Sequence, residues 1–291
     1  MNGILPVSKP QGMSSYDVIR FLQKAIPTLQ KHKIGHGGTL DPLAEGVLLL
    51  LIGEATKLFD FILEHNKTYE VWIQFGSATT TDDADGEIYA TSPIIPSPDQ
   101  VREVISHFTG HLSQIPPAYS ALKVKGKRAY ELAREGKQPN LQPREVEIFS
   151  HEILSYDQQN RILHTRVLCS SGTYIRSLAR DIGNALGCYG HVARLIRTQT
   201  LGITLEQCAD ISRLTETNWT EFLLPMRTVV TLPSLEIKEA SWILQGRKLS
   251  PHAFCNPPEY DGMYQIVKDE KLLAIGEWKE GRFFYKRVFH A

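Results

Sequence analysis

The sequence predicts an α+β protein with a smaller β-rich unit at its C-terminal end, and three observations carry that expectation. The apolar run Val47 to Ile52 has strand length without polar alternation, as in a strand covered on both faces. Lys67 to Ala78 and Arg161 to Cys169 alternate apolar with polar residues, the period of half-buried strands, and amphipathic helical stretches are interspersed with them. From Leu235 to Ala291 the pattern changes to short alternating segments, MYQIVKD, KLLAIGEW and RFFYKRVF, separated by turn residues. A chain of 291 residues exceeds the size at which one core is efficient, so two domains are expected, 1–230 and 231–291, joined near Leu224-Pro225 and the polar stretch Arg227 to Ser234.

Ser14 and Ser15 precede YDVIRFLQKAI, whose Val18, Phe21, Leu22 and Ile26 predict one face of a capped helix over 16–26. Lys31, His32 and Lys33 then lead into GHGGTLDPLAEG, an arrangement that suits a phosphate-bearing substrate or a plain solvated charge cluster. Within it, Gly35, Gly37, Gly38 and Gly46 surround the carboxylate of Asp41. Asp41-Pro42 supports two readings: a helix N-cap followed by proline at the first helical position, or a small acid held by a constrained backbone for chemistry. Gly53 ends the apolar strand, and EATKLFDFILEH reads as a further helix.

In KTYEVWIQF, Tyr69 shares a face with Val71, Ile73 and Phe75, so a buried ring with a satisfied hydroxyl is its ordinary reading. TTTDDADGEI resembles a calcium loop, but Thr81 in the first ligand position and Ser92 in the twelfth exclude it, leaving a turn between strands. Ser97-Pro98 opens a helix carrying Val101, Val104, Ile105 and Phe108, closed by Gly110. Between Lys123 and Lys137 six basic residues (Lys123, Lys125, Lys127, Arg128, Arg134, Lys137) face only Glu131 and Glu135, with Tyr119 and Tyr130 interleaved. Cations neutralise phosphates and aromatic rings offer stacking faces, so this stretch is an RNA-contacting arm or, without a partner, an exposed helical hairpin.

After strand 161–169, SSG breaks the chain and TYIRSLARDIGNALG forms a helix with Ile175, Leu178, Ile182 and Leu186 inward and Gly187 as its stop. Arg176 lies near the start of that helix, where the dipole disfavours a cation; a surface arginine is its ordinary reading, but the placement asks for a carboxylate or phosphate partner. His191, Arg194 and Arg197 form a second basic group around a short helix, GHVARLIRTQ.

Composition excludes several classes. Lysine plus arginine (32) equals aspartate plus glutamate (32), so any basic surface is local. Cys169, Cys188, Cys208 and Cys255 lack the CxxC spacing of a zinc site and read as buried thiols of a reducing cytosol. The longest apolar run is far short of the roughly 20 residues of a membrane span, and the N-terminus has no signal core, so a cytoplasmic location is expected. HExxH, GxxxxGK and GxSxG are absent, and Leu40 stands where a dinucleotide fingerprint needs its third glycine. Neither a metal nor a cofactor is expected.

Taken in order, GHGGTLDPLAEGVL, GEATK, KTYEV, IPPAYSALKVKGKRAYELAREG, SSGTYIRSLARDIG and GHVARLIRTQ resemble the tRNA pseudouridine synthase B (TruB) family, well over residues 1 to about 230 and more weakly beyond. The resemblance implies a pseudouridine synthase fold with a mixed, mainly antiparallel sheet, followed by a PUA-like domain that contacts RNA. It implies isomerisation of uridine to pseudouridine at position 55, in the T-loop of tRNA, without cofactor, by a monomer whose partner is the tRNA T-arm stem-loop. By the same match Asp41 is the nucleophile, Tyr69 stacks on the flipped base and is a candidate for proton transfer at the sugar, and Arg176 pairs with Asp41. An opposite charge of that kind favours an ionised carboxylate in a dry pocket.

The match also gives His36 a part in base extrusion, places Lys57 and Tyr174 in the pocket lining, and gives Leu195 an apolar supporting contact. Lys123, Lys125, Lys127 and Arg128, in an RNA-gripping thumb over about 118–140, and Arg194 and Arg197 are expected to contact RNA. Two rivals remain at this level. One is an RNA-binding or RNA-folding factor whose catalysis is incidental. The other is a guide-RNA-dependent relative, which would need partner proteins and long basic extensions that neither end of the sequence suggests.

Overall fold

The uninterrupted apolar run becomes a strand with both faces covered. The structure, a computed structural model, describes residues 1–120, 122–124, 126–137 and 139–290. Its strands before the insertion are β1 (Gly3–Lys9), β2 (Ile34–His36), β3 (Glu45–Ile52), β4 (Lys67–Phe75), β5 (Ser77–Thr79), β6 (Ile88–Thr91) and β7 (Gly110–Gln114). The insertion adds β8 (Lys123–Val124) and β9 (Lys127–Arg128), and the main sheet continues with β10 (Arg144–Asp157), β11 (Ile162–Cys169), β12 (Gly190–Thr200), β13 (Ile203–Thr204) and β14 (Ala209–Asp210). The tail holds β15 (Ser234–Glu236), β16 (Gly262–Lys268), β17 (Lys271–Lys279) and β18 (Arg282–Val288). Helices are α1 (Ser15–Ala25), α2 (Pro27–Gln30), α3 (Phe59–Leu63), α4 (Pro98–His107), α5 (Ala129–Arg134), α6 (Ile175–Ala185) and α7 (Ser241–Leu244).

The large sheet runs β14-β1-β3-β12-β4-β11-β10-β7, with β2 beside β3 and β13 beside β12. Among the described residues β1 with β14 and β3 with β12 are the parallel pairs of this sheet, and the other pairs in it are antiparallel. Period two sorts the β3 side chains: Leu48, Leu50 and Ile52 join the core that contains Val18 and Leu22 of α1, while Val47, Leu49 and Leu51 meet Leu272, Ile275 and Phe289 of the tail. Val71, Ile73 and Phe75 of β4 are essentially sealed from solvent, each worth about 1.5–3 kcal/mol of burial.

The two halves of the sheet meet at a narrow seam. β3 and β12 share only two register pairs, Ile196 with Glu45 and Arg197 with Gly46. β3 is otherwise paired to β1 and β2, and β12 to β4 along its length. The loop carrying Asp41 enters β3 at Glu45, at this seam.

Several local expectations change. GHVARLIRTQ is not a helix but β12, because register shifts between Val192 and Arg194 and between Arg197 and Gln199 disturb the period of two. The bulges leave buried Val192 and Leu195 three apart, a spacing that mimics a helix. In α1 the Ser14–Asp17 capping box forms as expected, but Phe21 is exposed and Ile19 takes its place inside. At about 100° per residue Phe21 falls roughly 60° outside the arc of Val18, Ile19, Leu22 and Ile26. EATKLFDFILEH divides into a 3-10 segment, Gly53–Leu58, and the single-turn helix α3. The 118–140 insertion is a small β8–β9 hairpin followed by α5 rather than a helical hairpin.

The tail is β-rich, with an open sheet ordered β15-β16-β17-β18 and its own core of Leu235, Ile237, Ile243, Phe254, Ile266 and Trp278. Polar ties add to its apolar dock: Arg287 reaches Asp60 at 3.0 Å and Lys57 Nζ donates to the Val288 carbonyl at 2.9 Å. All four thiols are free; Cys169 and Cys188 are buried, Cys208 half-buried, and Cys255 is exposed, against expectation. Burial pushes Cys169 up to about 11 and Cys208 up to about 12. Among the described residues no helix is long and apolar enough to cross a membrane.

Candidate functional site

The loop between β2 and β3 is pinned residue by residue. Ser15 Oγ accepts from the Leu40 amide at 2.8 Å and donates to the Leu40 carbonyl at 3.1 Å, fixing the residue before Asp41. The Pro42 carbonyl after it accepts from the Gly12 amide at 2.8 Å and from Lys9 Nζ at 3.4 Å. Lys9 is fully enclosed and also donates to the Met13 and Pro10 carbonyls at 2.6 and 2.9 Å. Burial pushes its ammonium down to about 8, against the pull of Asp41 and Glu45. Gly38 adopts φ +120° and gives its carbonyl to Arg197 Nη2 at 3.2 Å. No helix follows Asp41-Pro42: the segment turns directly into β3, so the N-cap reading is excluded.

Arg176 Nε contacts Asp41 Oδ2 at 2.9 Å. The remaining arms of the guanidinium donate to the Thr81 and Tyr119 carbonyls, both at 2.9 Å, and its Nε lies 3.6 Å from the buried carboxylate of Asp83. Arg176 therefore has the carboxylate partner its place in the first turn of α6 demanded. Gln114 sets the start of that helix, accepting from the Tyr174 amide at 2.8 Å and donating to its carbonyl at 3.0 Å.

Tyr69 is buried on β4, in register with Arg197 of β12. Burial raises its phenol above the ordinary range, while Arg197 opposes that and the Asp41 carboxylate adds to it. Arg197, itself buried, also donates from Nε to the Val47 carbonyl at 2.7 Å, so one guanidinium ties β12 to both ends of the glycine loop. Leu195 is buried opposite Val71. His36 lies on β2 with burial pushing its imidazole down, helped by Arg197, and its Nδ1 is buried without a partner among the described residues. Burial raises the Tyr174 phenol, with smaller effects from Arg144, Arg176 and Asp41.

Asp41, Arg176, Tyr69, Tyr174, Leu195 and His36 thus gather around the seam. Lys57 does not join them: it bonds Glu54 at 2.5 Å and the Val288 carbonyl, on the side where the tail docks. Arg197, expected at the surface to contact RNA, is 1% exposed and is taken up by the Val47 and Gly38 carbonyls, and His191 on the same strand is buried as well. Arg194 is exposed, paired with Glu45 at 3.0 Å and stacked over Trp72. Lys123, Lys127 and Arg128 are exposed on the insertion, while Lys125 lies outside the described residues.

Sequence reasoning passed over Lys9, Ser15, Gln114 and Asp83. None carries a local motif, although a lysine preceding Pro-Gln-Gly at a strand end and three acids within DDAD were visible signals. An open cleft of about 560 Å³ lies not at Asp41 but between the 79–82 turn and the root of the insertion, with Tyr89, Ile115 and Arg180 among its walls. Among the described residues no group of three or more His, Cys, Asp or Glu is arranged to hold a metal ion.

The chemistry available is that of a half-exposed carboxylate, oriented by an enclosed guanidinium, beside a buried phenol. A family model described as "TruB family pseudouridylate synthase (N terminal domain)" matches residues 27–175. A second, "tRNA pseudouridylate synthase B C-terminal domain", matches 176–231, the stretch that supplies α6 and β12. The tRNA pseudouridine synthase B of Aquifex aeolicus is 37% identical over 292 residues, covering 99% of each chain. That of Streptococcus pneumoniae serotype 2 is 38% identical over 300 residues, covering 99% of this chain and all of the relative. Among solved structures, "Crystal Structure of a Cbf5-Nop10-Gar1 Complex" superposes with a TM-score of 0.74 at 24% identity, over 99% of this chain and 85% of that one, a likeness of fold. With both family models matched over residues 27–231 and full-length relatives 37–38% identical, the chain belongs to the TruB family of tRNA pseudouridine synthases.

Proposed function

We propose that this chain isomerises uridine to pseudouridine in the T-loop of tRNA, at the uridine numbered 55, with Asp41 as the nucleophile. The observation that carries this reading is the 2.9 Å pair of Asp41 with Arg176, at a seam of the sheet flanked by Tyr69. The reaction gains and loses no atoms. The glycosidic C–N bond breaks, the base rotates, and a C–C bond forms to the same sugar carbon; the base carbon loses its hydrogen and the freed ring nitrogen gains one.

A base inside a folded loop must leave its stack before a side chain can reach it. Tyr69 and Leu195 supply the apolar and aromatic walls for that base, Tyr174 closes the edge, and His36 offers a buried ring nitrogen to a nucleotide. Arg176 holds one oxygen of Asp41, which leaves the other to face the substrate. The Tyr69 hydroxyl, shielded from water, is the candidate for proton transfer at the sugar. Outside the pocket, Lys123, Lys127, Arg128 and Arg194 meet phosphates, and the tail, read as PUA-like, extends the RNA surface. Lys57 serves the docking of that tail.

Incubating the purified protein with a T-arm stem-loop and mapping pseudouridine chemically tests the proposal. Product at the T-loop uridine is expected, and Tyr69→Phe should bind the stem-loop yet form product about 100-fold more slowly or worse. Conversion only at another uridine of the stem-loop would contradict the position assigned.

A further inference from the structure

The 79–86 turn is gripped at two points one helical turn apart on α6. Arg176 takes the Thr81 carbonyl and flanks Asp83, and Arg180 Nη1 pairs with Asp82 at 2.9 Å. An i, i+4 spacing places both guanidinium groups on one helix face, so consecutive residues of the turn point to different arginines. The backbone of Asp82 makes this alternation possible: its φ of +60° lies in the left-handed region, which costs a residue with a β-carbon about 1 kcal/mol or more. Its amide donates to the Thr79 carbonyl at 3.2 Å, and its carbonyl accepts from the Val192 amide at 3.1 Å.

The pair is largely desolvated, with side-chain exposures of 13% for Asp82 and 21% for Arg180. Burial pushes the Asp82 carboxyl up, and Arg180 opposes it. The rest of the Arg180 fork is occupied, Nε by Asp181 at 2.9 Å and Nη2 by the Ile115 carbonyl at 2.8 Å. Because Arg176 likewise takes the Tyr119 carbonyl, both arginines tie the turn to the segment that leads into the insertion.

We propose that Arg180 is a positioning residue for the isomerisation: by holding Asp82 in its left-handed turn it fixes Thr81 and Asp83 against Arg176, and thereby fixes the guanidinium that orients Asp41. This rests on Asp41 being the reacting carboxylate. Nothing in the role of Arg180 requires it to touch RNA, so the effect belongs in turnover rather than in substrate affinity.

The test compares wild type, Arg180→Ala and Arg180→Ala/Asp82→Gly on the T-arm stem-loop, with amide exchange measured on the same proteins. Arg180→Ala should lower kcat about 10- to 100-fold with KM unchanged, the penalty of a misplacement on the ångström scale. Adding Asp82→Gly should restore most of kcat, because glycine takes the left-handed conformation unaided and removes the carboxylate that would be left buried without a partner. Exchange at the Ala84 and Val192 amides, which bond the turn to β12, should quicken in Arg180→Ala and slow again in the double variant. An Arg180→Ala kcat equal to wild type, or a folded double variant as slow as the single one, would overturn the role. Should wild type make no product on this stem-loop, the T-loop reading fails, and the exchange result alone decides for or against Arg180 holding the turn.

Discussion

Arg176 and Asp41 meet at 2.9 Å with very different exposure, 7% for the guanidinium and 38% for the carboxylate. The guanidinium is enclosed, and the carboxylate it holds is open on one side. Two backbone carbonyls and Asp83 hold the guanidinium independently of Asp41, so the geometry exists before substrate arrives.

Arg176→Lys keeps the charge and loses the fork. A single nitrogen cannot stand in the three places from which Nε and the two Nη atoms reach Asp41 and the Thr81 and Tyr119 carbonyls. We expect single-turnover conversion to fall by about 100-fold or more. Urea denaturation should show a loss of about 1–3 kcal/mol from the carbonyls left unpaired. A wild-type rate from this variant would show that the fork does not orient Asp41.

Lys9 makes stability depend on alkaline pH. Its folded pKa of about 8 lies below the ordinary 10.5, so between those values the unfolded chain binds more protons than the native one. Stability therefore rises with pH across that window, because the cost of burying the charged ammonium is relieved. Relative to Lys9→Met, which carries no such charge, wild type should gain on the order of 1 kcal/mol between pH 7.5 and pH 10. Denaturant titrations of both proteins at the two pH values measure the difference; a wild type that loses stability relative to Lys9→Met as pH rises would contradict the sign.

Gly46→Ala should open the seam. Gly46 has φ +107°, and a β-carbon there would lie 2.2 Å from the Arg197 backbone carbonyl oxygen. The expected loss is about 2 kcal/mol or more of stability, with activity falling in the fraction that stays folded. Thermal unfolding and active-site titration separate the two effects. A variant as stable as wild type would mean that β3 and β12 are not held as closely as their register indicates.

The exposed cations of the insertion should act on affinity. Lys123→Ala and Arg128→Ala are expected to weaken T-arm binding without changing kcat, each reducing the salt dependence of binding by about one unit of slope. Filter binding across a salt series reads this directly. An unchanged slope would remove these residues from the phosphate-contacting set.

Much of this was legible in the sequence where side-chain period and backbone agree. β3, β4 and β11 follow their apolar patterns, and α6 follows its i, i+4 face up to Gly187. The strand 190–200 was misread because its bulges create three-residue spacing, a signal that belongs to pairing with β4 rather than to the segment itself. Arg197 reads as a surface cation for the same reason: only the sheet turns it inward. Asp83 could not be singled out among three nearby acids, since α6 alone decides which of them faces Arg176. The Asp41–Arg176 pair lies between distant parts of the chain, and the family resemblance, not any local pattern, brought it into view.

Chemical mapping of pseudouridine in a T-arm stem-loop, treated in parallel with wild type and with Asp41→Asn, bears most directly on the role of Asp41. Wild type should convert the T-loop uridine. Asp41→Asn should keep its Tm and its affinity for the stem-loop and leave that uridine unchanged. Pseudouridine formed by Asp41→Asn at the wild-type rate would contradict Asp41 as the nucleophile.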